Sequence, residues 1–384
     1  MADFMNIVLL NGVLLLLNPL FYIVLAIVLL TGYRRIKNER RLFRIKLKDW
    51  SYEWKQSLFM TLIFTIVISA FTIYFQLVMT KYLLIMMMVL FISLFFMKSF
   101  SFLSAVYTIG LSYTLTFIAV TMMGELEQVN LLIEESFTVF IFIMALLIVE
   151  VVSVLFSNRN HLFSKKIKSN RGLTVGASQL KRGLLLPFVA YVPTEMIEPL
   201  IQWLPFIELP NHSYQLVIIP FLFGYQFTFV SYPFKELRQD LIRSYAILLM
   251  TLSAVAMLSM FLQIEYIGII LIVLTIFGRE LIVFLLRLKD RKGKSLYYPV
   301  KDGLKIIAVI EESTASEIGL KAGETILKVN GYSIRSEGQF YQYLREEVPF
   351  YKLYVQDMKG KERYLTCPRY EAEHHELGLL FASQ

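Results

Sequence analysis

Histidine is the side chain from which a search for chemistry in this sequence starts, because it serves both as a general base and as a metal ligand. The four histidines are His161, His212, His374 and His375. A zinc protease places two histidines one helical turn apart with a glutamate between them, as in His-Glu-x-x-His. The run Glu373-His374-His375-Glu376 lacks that spacing. We therefore predict no metal site and no cofactor, and we interpret the run as polar residues of a tail.

Nucleophilic side chains offer no better basis for catalysis. A serine hydrolase would show a Gly-x-Ser-x-Gly turn, and a nucleotide hydrolase would show a glycine-rich phosphate loop. Neither string occurs in the sequence. The single cysteine, Cys367, has no charged partner that the sequence identifies, so we expect a small packed residue and not a reactive thiol. We predict no catalytic residues and expect that the chain is not an enzyme.

Carboxylates inside apolar segments are the remaining candidates, since ionisable groups at membrane depth indicate transport pathways by default. Four such residues are Glu150, Glu195, Glu198 and Glu208. The last three lie in or beside a proline-rich segment, and broken helices are typical of transporter sites. A membrane transporter with a regulatory C-terminal domain is therefore one functional alternative. The other interpretation places these glutamates, and the neighbouring Arg279-Glu280, near the membrane interfaces, where they are hydrated or paired.

The elements that would position these residues are membrane-spanning helices. Hydrophobic residues make up 57% and charged residues 18% of the 384 residues, and the mean hydropathy is +0.59. A bilayer-crossing helix needs about 20 apolar residues. Nine candidate spans lie near residues 7–33, 58–79, 82–97, 102–123, 136–156, 183–209, 214–232, 244–262 and 266–286. We predict a polytopic α-helical membrane domain over residues 1–290, in which 183–209 is either a span or a broken, re-entrant helix because of its prolines.

Loop charges predict the orientation of this domain. The two strongly basic loops are 34–57 and 157–182, whereas 124–135 contains four glutamates and no basic residue. With nine spans and the N-terminus outside, both basic loops face the cytoplasm, as basic loops prefer. We therefore predict a multi-pass protein of the plasma membrane with its C-terminal domain in the cytoplasm. The chain has a net charge of +8, and its basic residues lie at the ends of the apolar runs. We attribute the positive charge to membrane orientation and expect no nucleic-acid partner.

The first basic loop also carries apolar side chains at helical spacing, among many lysines and arginines. These residues are Phe43, Leu47, Trp50 and Trp54, preceded by Ile36. Such a pattern predicts a helix that lies on the surface of an anionic membrane. The alternative is an ordinary cytoplasmic loop whose apolar face packs against a partner.

The composition changes after Leu286. Residues 295–369 alternate apolar and polar side chains between turn residues, which predicts a soluble domain with strands, and 370–384 forms a tail. The string from Ser313 to Gly331, Ser-Thr-Ala-Ser-Glu-Ile-Gly-Leu-Lys-Ala-Gly-Glu-Thr-Ile-Leu-Lys-Val-Asn-Gly, resembles the signature of bacterial PDZ domains. Its motif residues are Gly319, Leu320, Gly323, Asn330 and Gly331. The resemblance implies a small α+β fold, a partly open β-barrel with two helices.

A PDZ domain binds a peptide between a strand and its second helix. On the strand side, the candidates are Tyr297, Tyr298, Pro299 and Val300, and on the helix side they are Gln339, Phe340 and Tyr343. The strand candidates lack the glycine-rich loop that usually holds a peptide carboxylate. The ligand therefore stays open between a free C-terminus, an internal peptide and a domain surface.

Two N-terminal strings and the overall layout resemble the MinJ family of cell-division topology proteins. The strings are Asn18-Pro-Leu-Phe-Tyr and Gly32-Tyr-Arg-Arg-Ile-Lys-Asn-Glu-Arg-Arg41. The resemblance implies a membrane adaptor at cell poles and septa. It further implies two cytoplasmic partners, the scaffold DivIVA and the MinD ATPase that carries the division inhibitor MinC. We therefore expect recruitment of partner proteins through the PDZ domain and the loops, with transport as the alternative.

Overall fold

A computed structural model describes most of the chain. The described residues are 19–43, 52–55, 57–96, 100–158, 162–168, 174–193, 206–207, 214–293, 295–298, 300–310, 313–344, 350–358, 360–368 and 377–382. They form a largely helical membrane region that contains a β-ribbon, followed by a sheet-rich C-terminal domain.

The helices of the membrane region are α1 (Pro19–Phe43), α2 (Tyr52–Lys55), α3 (Leu58–Tyr74), α4 (Lys81–Phe96), α5 (Ser112–Met123), α6 (Leu126–Leu155), α7 (Phe234–Leu262) and α8 (Ile267–Lys292). A 3-10 turn (Phe100–Leu103) and a π-helix (Val106–Leu111) precede α5. Within the described residues, four helical segments are long and apolar enough to cross a membrane, namely Val106–Met123, Leu126–Leu155, Phe234–Leu262 and Ile267–Lys292. Helix α3 and the segment Lys81–Ser93 are apolar but shorter.

These helices correspond to most of the predicted spans. The predicted span 7–33 lies partly outside the described residues, and its described part begins the helix α1, which continues through the basic residues to Phe43. The runs 183–209 and 214–232 differ from the prediction. Their described residues, 183–193, 206–207 and 214–232, lie mainly in β-strands, so for these residues the prediction of two helical spans, or of a broken helix in the first run, is wrong.

The strands replace those helices with one long antiparallel ribbon. Strands β2 (Thr174–Leu185) and β3 (Phe188–Pro193) run in one direction, and β5 (Tyr214–Ile219) and β6 (Leu222–Phe229) return. β2 pairs with β6 from Ser178↔Phe229 to Leu185↔Leu222, and β3 pairs with β5 from Phe188↔Ile219 to Pro193↔Tyr214. The Leu186 N–H donates to the Phe221 carbonyl at 2.8 Å and joins the two pairs. Strand β1 (Leu162–Lys168) extends the ribbon beside β2, and β4 (Phe206–Ile207) extends it beside β5.

The ribbon lies inside the helical bundle. The Phe188 ring packs against Phe142 of α6 at 5.0 Å between centroids, and Phe221 packs against Phe91 of α4 at 5.9 Å. Beyond α3, the Met79 N–H donates to the Tyr191 carbonyl at 2.8 Å. Strand backbone at membrane depth is tolerated where its polar groups are paired and protein covers it. The pairing of β2 with β6 and of β3 with β5, and the ring contacts to α4 and α6, are in keeping with this.

The C-terminal domain is built on one sheet. Its strands are β7 (Leu304–Val309), β8 (Thr325–Val329), β9 (Tyr332–Ser333), β10 (Phe350–Gln356), β11 (Glu362–Pro368) and β12 (Leu379–Phe381), in the order β11-β10-β8-β7-β12 with β9 beside β8. Helices α9 (Thr314–Glu317) and α10 (Glu337–Leu344) complete it. The domain thus extends into the predicted tail 370–384, because β12 pairs with β7 at Leu379↔Val309 and places Leu379 and Phe381 in the core.

Candidate functional site

The glycines of the predicted motif form the turns of the C-terminal domain. Gly319 ends α9 at φ +78°, and Gly323 adopts φ +94°, a backbone conformation that side chains with a Cβ rarely adopt. A Cβ on Gly323 would also lie 1.7 Å from the Cε of Met358. Asn330 and Gly331 form the turn before β9 with positive φ angles of 50° and 90°. Gly319 and Gly323 therefore both occupy backbone conformations that favour glycine.

Two of these motif residues also support the core directly. The side-chain amide of Asn330 donates to the Tyr343 carbonyl at 3.3 Å and accepts from the Lys352 N–H at 3.0 Å. Leu320 is buried in the core of the domain. These contacts give the motif residues a structural role in joining strand and helix.

The predicted groove residues do not come together. Tyr297 is buried against the membrane region, where its carbonyl accepts from the Gly176 N–H at 3.3 Å, and Tyr298 is half-exposed beside it. Pro299 lies outside the described residues. The structure thus places Tyr297 beside β2 and not beside α10. Val300 lies in the segment that leads to β7.

The helix candidates have three different environments. Phe340 is fully buried, with its ring 5.0 Å from that of Phe381. Tyr343 stacks on Tyr332 at 4.8 Å between centroids. Gln339 is at the exposed start of α10, where its side-chain oxygen accepts from the Arg335 N–H at 2.9 Å. Phe340 is therefore a core residue that connects α10 to β12.

This contact places α10 beside the edge strand β12, and the candidate groove lies between these two elements. Strand β12 ends the sheet order, so one side of its backbone has no strand neighbour among the described residues. The Gly378 carbonyl accepts from the Ile310 N–H, and the Ala382 N–H donates to the Lys305 carbonyl, both at 2.9 Å toward β7. Since successive residues of a strand alternate in direction, the backbone N–H and C=O groups of Leu379 and Phe381 point to the free edge.

The loop before β12 is held in place by the start of α9. Gly378 adopts φ +76°, and a Cβ there would lie 2.4 Å from the Cβ of Ser313. The Ala315 N–H donates to the Leu377 carbonyl at 3.0 Å. The glycine-containing loop therefore lies before β12 and not ahead of β7, where the strand candidates Tyr297 to Val300 had been predicted. The string Leu-Gly-Leu-Leu-Phe at 377–381 was the available signal, but the order of elements along the chain does not reveal the order of strands in the sheet.

A second cluster of polar groups is buried in the membrane region, around Glu150 of α6. Its carboxylate accepts from Ser104 Oγ at 2.8 Å and from Tyr245 OH at 3.0 Å, and it pairs with Arg279 Nη2 of α8 at 3.3 Å. Both members of the ion pair are fully buried. The Arg279 guanidinium also lies over the Tyr107 ring at 4.6 Å. Arg279 is therefore not an interfacial partner of its neighbour Glu280, as the sequence had suggested.

The ribbon is attached to the same cluster. Arg182 of β2 donates from Nη1 to the Ser153 carbonyl at 2.9 Å, and the Tyr225 hydroxyl of β6 lies 3.0 Å from Ser153 Oγ. Ser153 follows Glu150 by one helical turn on α6. With three partners bound, the Glu150 carboxylate joins α6 to Ser104, to α7 through Tyr245 and to α8 through Arg279.

Several predicted site residues lie at or beyond the limits of the described residues. Leu47 and Trp50 of the predicted surface helix are outside them, as are Glu195, Glu198 and Glu208. Phe43 ends α1, and Trp54 belongs to α2. The surface helix therefore stays a prediction. Among the described residues, no group of three or more His, Cys, Asp or Glu is placed to hold a metal ion.

Comparisons with known proteins point to one family, although no family model matches the chain. The cell division topological determinant MinJ of Bacillus subtilis (strain 168) is 26% identical over 376 residues, which cover 95% of this chain and 92% of the relative. The probable cell division topological determinants MinJ of Lacticaseibacillus paracasei and Lacticaseibacillus casei (strain BD-II) are each 26% identical over 78 residues, 20% of this chain and 21% of each relative. The predicted resemblance to the MinJ family is thus confirmed, since the similarity to MinJ of Bacillus subtilis extends over nearly the whole of both chains.

Proposed function

We propose that this protein is a membrane-anchored, non-enzymatic adaptor that helps to place the division-site inhibitor system. The family resemblance supports a role in division-site placement. The structural observation that carries the adaptor mechanism is the free edge of β12 beside α10. By resemblance, the proposed partners are the scaffold DivIVA and the MinD ATPase, at the septum and poles of the cell.

The C-terminal domain acts in this proposal as a PDZ-type module that binds by strand addition. An extended peptide lies along β12 and pairs with the outward N–H and C=O groups of Leu379 and Phe381. Main-chain hydrogen bonds of this kind supply affinity, and pockets for alternate side chains supply specificity. The partly buried side chains of Tyr341, Leu344 and Leu377 pack on the core around Phe340 and Phe381, so the proposed ligand presents an apolar side chain toward α10.

The domain faces the cytoplasm in this proposal. Replacing the predicted spans 183–209 and 214–232 with a ribbon that enters and returns removes two crossings, and an even number leaves the C-terminal side unchanged. The basic segments 34–57 and 157–182 stay on that same side in this proposal, although the structure forms part of them from the end of α1, α2, β1 and the start of β2. This is in keeping with the preference of basic segments for the cytoplasm.

Complementation in dividing cells tests the adaptor proposal. Cells that lack the wild-type chain receive the full chain, a chain that ends at Tyr298, or the variant Glu150→Gln, each followed by membrane immunoblotting. We expect the truncated chain to insert normally but to leave MinD away from the septum, and the cells to divide abnormally. Normal MinD placement by the truncated chain would refute the proposal.

Glu150→Gln separates the adaptor proposal from transport. The adaptor proposal expects MinD placement to persist in every cell whose membrane contains the variant at the wild-type level. A variant that inserts at that level but fails, while the truncated chain succeeds, would favour the transporter alternative. Arg279→Lys, which keeps the charge beside Glu150, is the matched control for packing.

A further inference from the structure

We infer that the C-terminal domain is not a freely tethered module: a rigid connector docks it on the ribbon, so that the position of the groove strand β12 is coupled to the membrane region. The connector comprises the described residues 290–293 and 295–298. Its physical docking stands independently of any ligand, whereas its effect on ligand binding rests on the function proposed above.

The first part of the connector is a clamp at the end of α8. The Asp290 carboxylate accepts from the backbone N–H groups of Val230, Ser231 and Tyr232, at 2.8 to 3.1 Å. It also accepts from Ser231 Oγ at 2.9 Å. Hydrogen bonds to a charged acceptor are stronger than neutral ones. The end of the last membrane helix is therefore fixed to the chain that leaves β6.

The second part continues the attachment along the ribbon. The Leu296 N–H donates to the Val230 carbonyl at 3.0 Å, and the Gly176 N–H of β2 donates to the Tyr297 carbonyl at 3.3 Å. Tyr297 is only 9% exposed. The chain thus passes β6 and then β2 before it enters the C-terminal domain at β7, which leaves little freedom for a hinge.

The third part is a close contact with the back of the C-terminal sheet. Ile307 of β7 and Ala382, next to β12, are buried together with Tyr297 and Leu296. A Cβ on Gly176 would lie 2.8 Å from the Cβ of Tyr297 and 3.0 Å from Cγ1 of Ile307. These distances are too short for any side chain larger than hydrogen, so glycine allows the two sheets to approach.

Strand β12 is therefore restrained on two sides. Leu379 and Phe381 face the core and α10, while Ala382 packs on the connector through the opposite face of the sheet. A ligand that shifts β12 must also shift its contact with the ribbon. Coupling between two sites is reciprocal. If ligand binding at the groove changes the contact between β12 and the ribbon, a change in the packing of that contact also changes ligand affinity at the groove.

Hydrogen exchange of the full chain in lipid nanodiscs, without ligand, tests the docking. Gly176→Val forces the connector away from β2. We expect the amides of Ile310 and Ala382, which bridge β7 and the β12 segment, to exchange at least about tenfold faster, because local opening then costs less free energy. The core amides of β8 should keep their wild-type rates. Gly338→Ala, on the exposed start of α10 with no atom closer than 4.0 Å, is the control.

Asp290→Ala provides the second test because it lies far from the contact itself. It removes the clamp, and it should speed exchange at Ile310 and Ala382 in the same selective way. Asp302→Ala, which removes an exposed carboxylate from a surface ion pair, is the charge-matched control. If Gly176→Val disrupts the ribbon as a whole, the exchange rates of Asp290→Ala alone test the docking.

Unchanged exchange at Ile310 and Ala382 in Asp290→Ala would overturn the inference, and so would equal acceleration throughout the C-terminal domain. Neither result bears on MinD placement by the truncated chain. The docking inference and the adaptor proposal can therefore be refuted independently of each other.

Discussion

The ribbon and the C-terminal sheet are both antiparallel β-structure, but they present opposite patterns in the sequence. In the C-terminal sheet, β10 alternates exposed residues with buried ones such as Leu353 and Val355. In the ribbon, β6 is buried for four residues in succession from Leu222 to Tyr225. A strand that is covered on both faces reads as a continuous apolar run. Alternation therefore reports a difference between two environments, and it disappears where both environments are apolar.

The largest expected effect concerns the buried ion pair of the membrane region, between Glu150 and Arg279. Arg279→Met leaves Glu150 charged and unpaired, which should destabilise the chain by about 3–5 kcal/mol. Thermal unfolding in detergent measures the loss. The C-terminal domain offers the comparison: Arg335→Met breaks the exposed pair with Asp302 and should cost about 0–1 kcal/mol. The double variant Glu150→Leu with Arg279→Met should recover much of the loss, and failure to recover would argue against an unpaired charge as its cause.

The second effect belongs to the turns of the C-terminal sheet. Gly319→Val and Gly323→Val force a β-branched residue into positive φ, at a cost of about 1–3 kcal/mol each. Gly323→Val should lie at the upper end, because its side chain also meets Met358. Exchange of the β8 amides in the full chain measures the change. Equal stability of wild type and both variants would contradict the proposed turn geometry, whereas Gly338→Ala should be neutral or stabilising.

A matched pair of core substitutions sharpens the comparison further. Ile219→Val in the ribbon and Ile326→Val in the C-terminal sheet each remove one methylene from a fully buried side chain. Both should lower the free energy of unfolding by about 0.5–1.5 kcal/mol. The reason is that the deleted methylene leaves a cavity in either region, whether lipid or water surrounds it. A cost near zero for Ile219→Val alone, measured by thermal unfolding in nanodiscs, would show that the ribbon packs loosely against its helices.

The smallest expected effect is a pH dependence in the C-terminal sheet. Burial lowers the pKa of Lys305 below its ordinary value of 10.5. The unfolded state then binds more protons than the folded state in the window below pH 10.5, so stability should rise with pH through that window. Lys305→Met should flatten the rise in exchange-derived stability of the β7 amides between pH 8 and pH 10. Lys328→Met, at an exposed site of the same sheet, is the control, and an equal flattening there would assign the effect to net charge.

Prediction from sequence succeeded where local chemistry decides the structure. The turn residues Gly319 and Asn330 specify their own backbone angles, and the long apolar runs specify α6, α7 and α8. It failed where partners distant in sequence decide. The strand β12 acquires its place from β7, some 70 residues earlier, and Glu150 acquires its role from Arg279 on another helix. Likewise, Tyr297 was predicted as a groove residue, but its side chain packs closely against Gly176 of β2.

The continuity of the ribbon has a consequence for how the protein is made. A ribosome delivers β2 and β3 before β5 and β6, and a lone strand among lipid tails leaves its backbone amides unpaired at several kcal/mol each. We therefore expect the two halves to fold together as a hairpin against α6, where Phe142 contacts Phe188. We expect helices α7 and α8, which reach Glu150 through Tyr245 and Arg279, to pack afterwards because they follow in the chain.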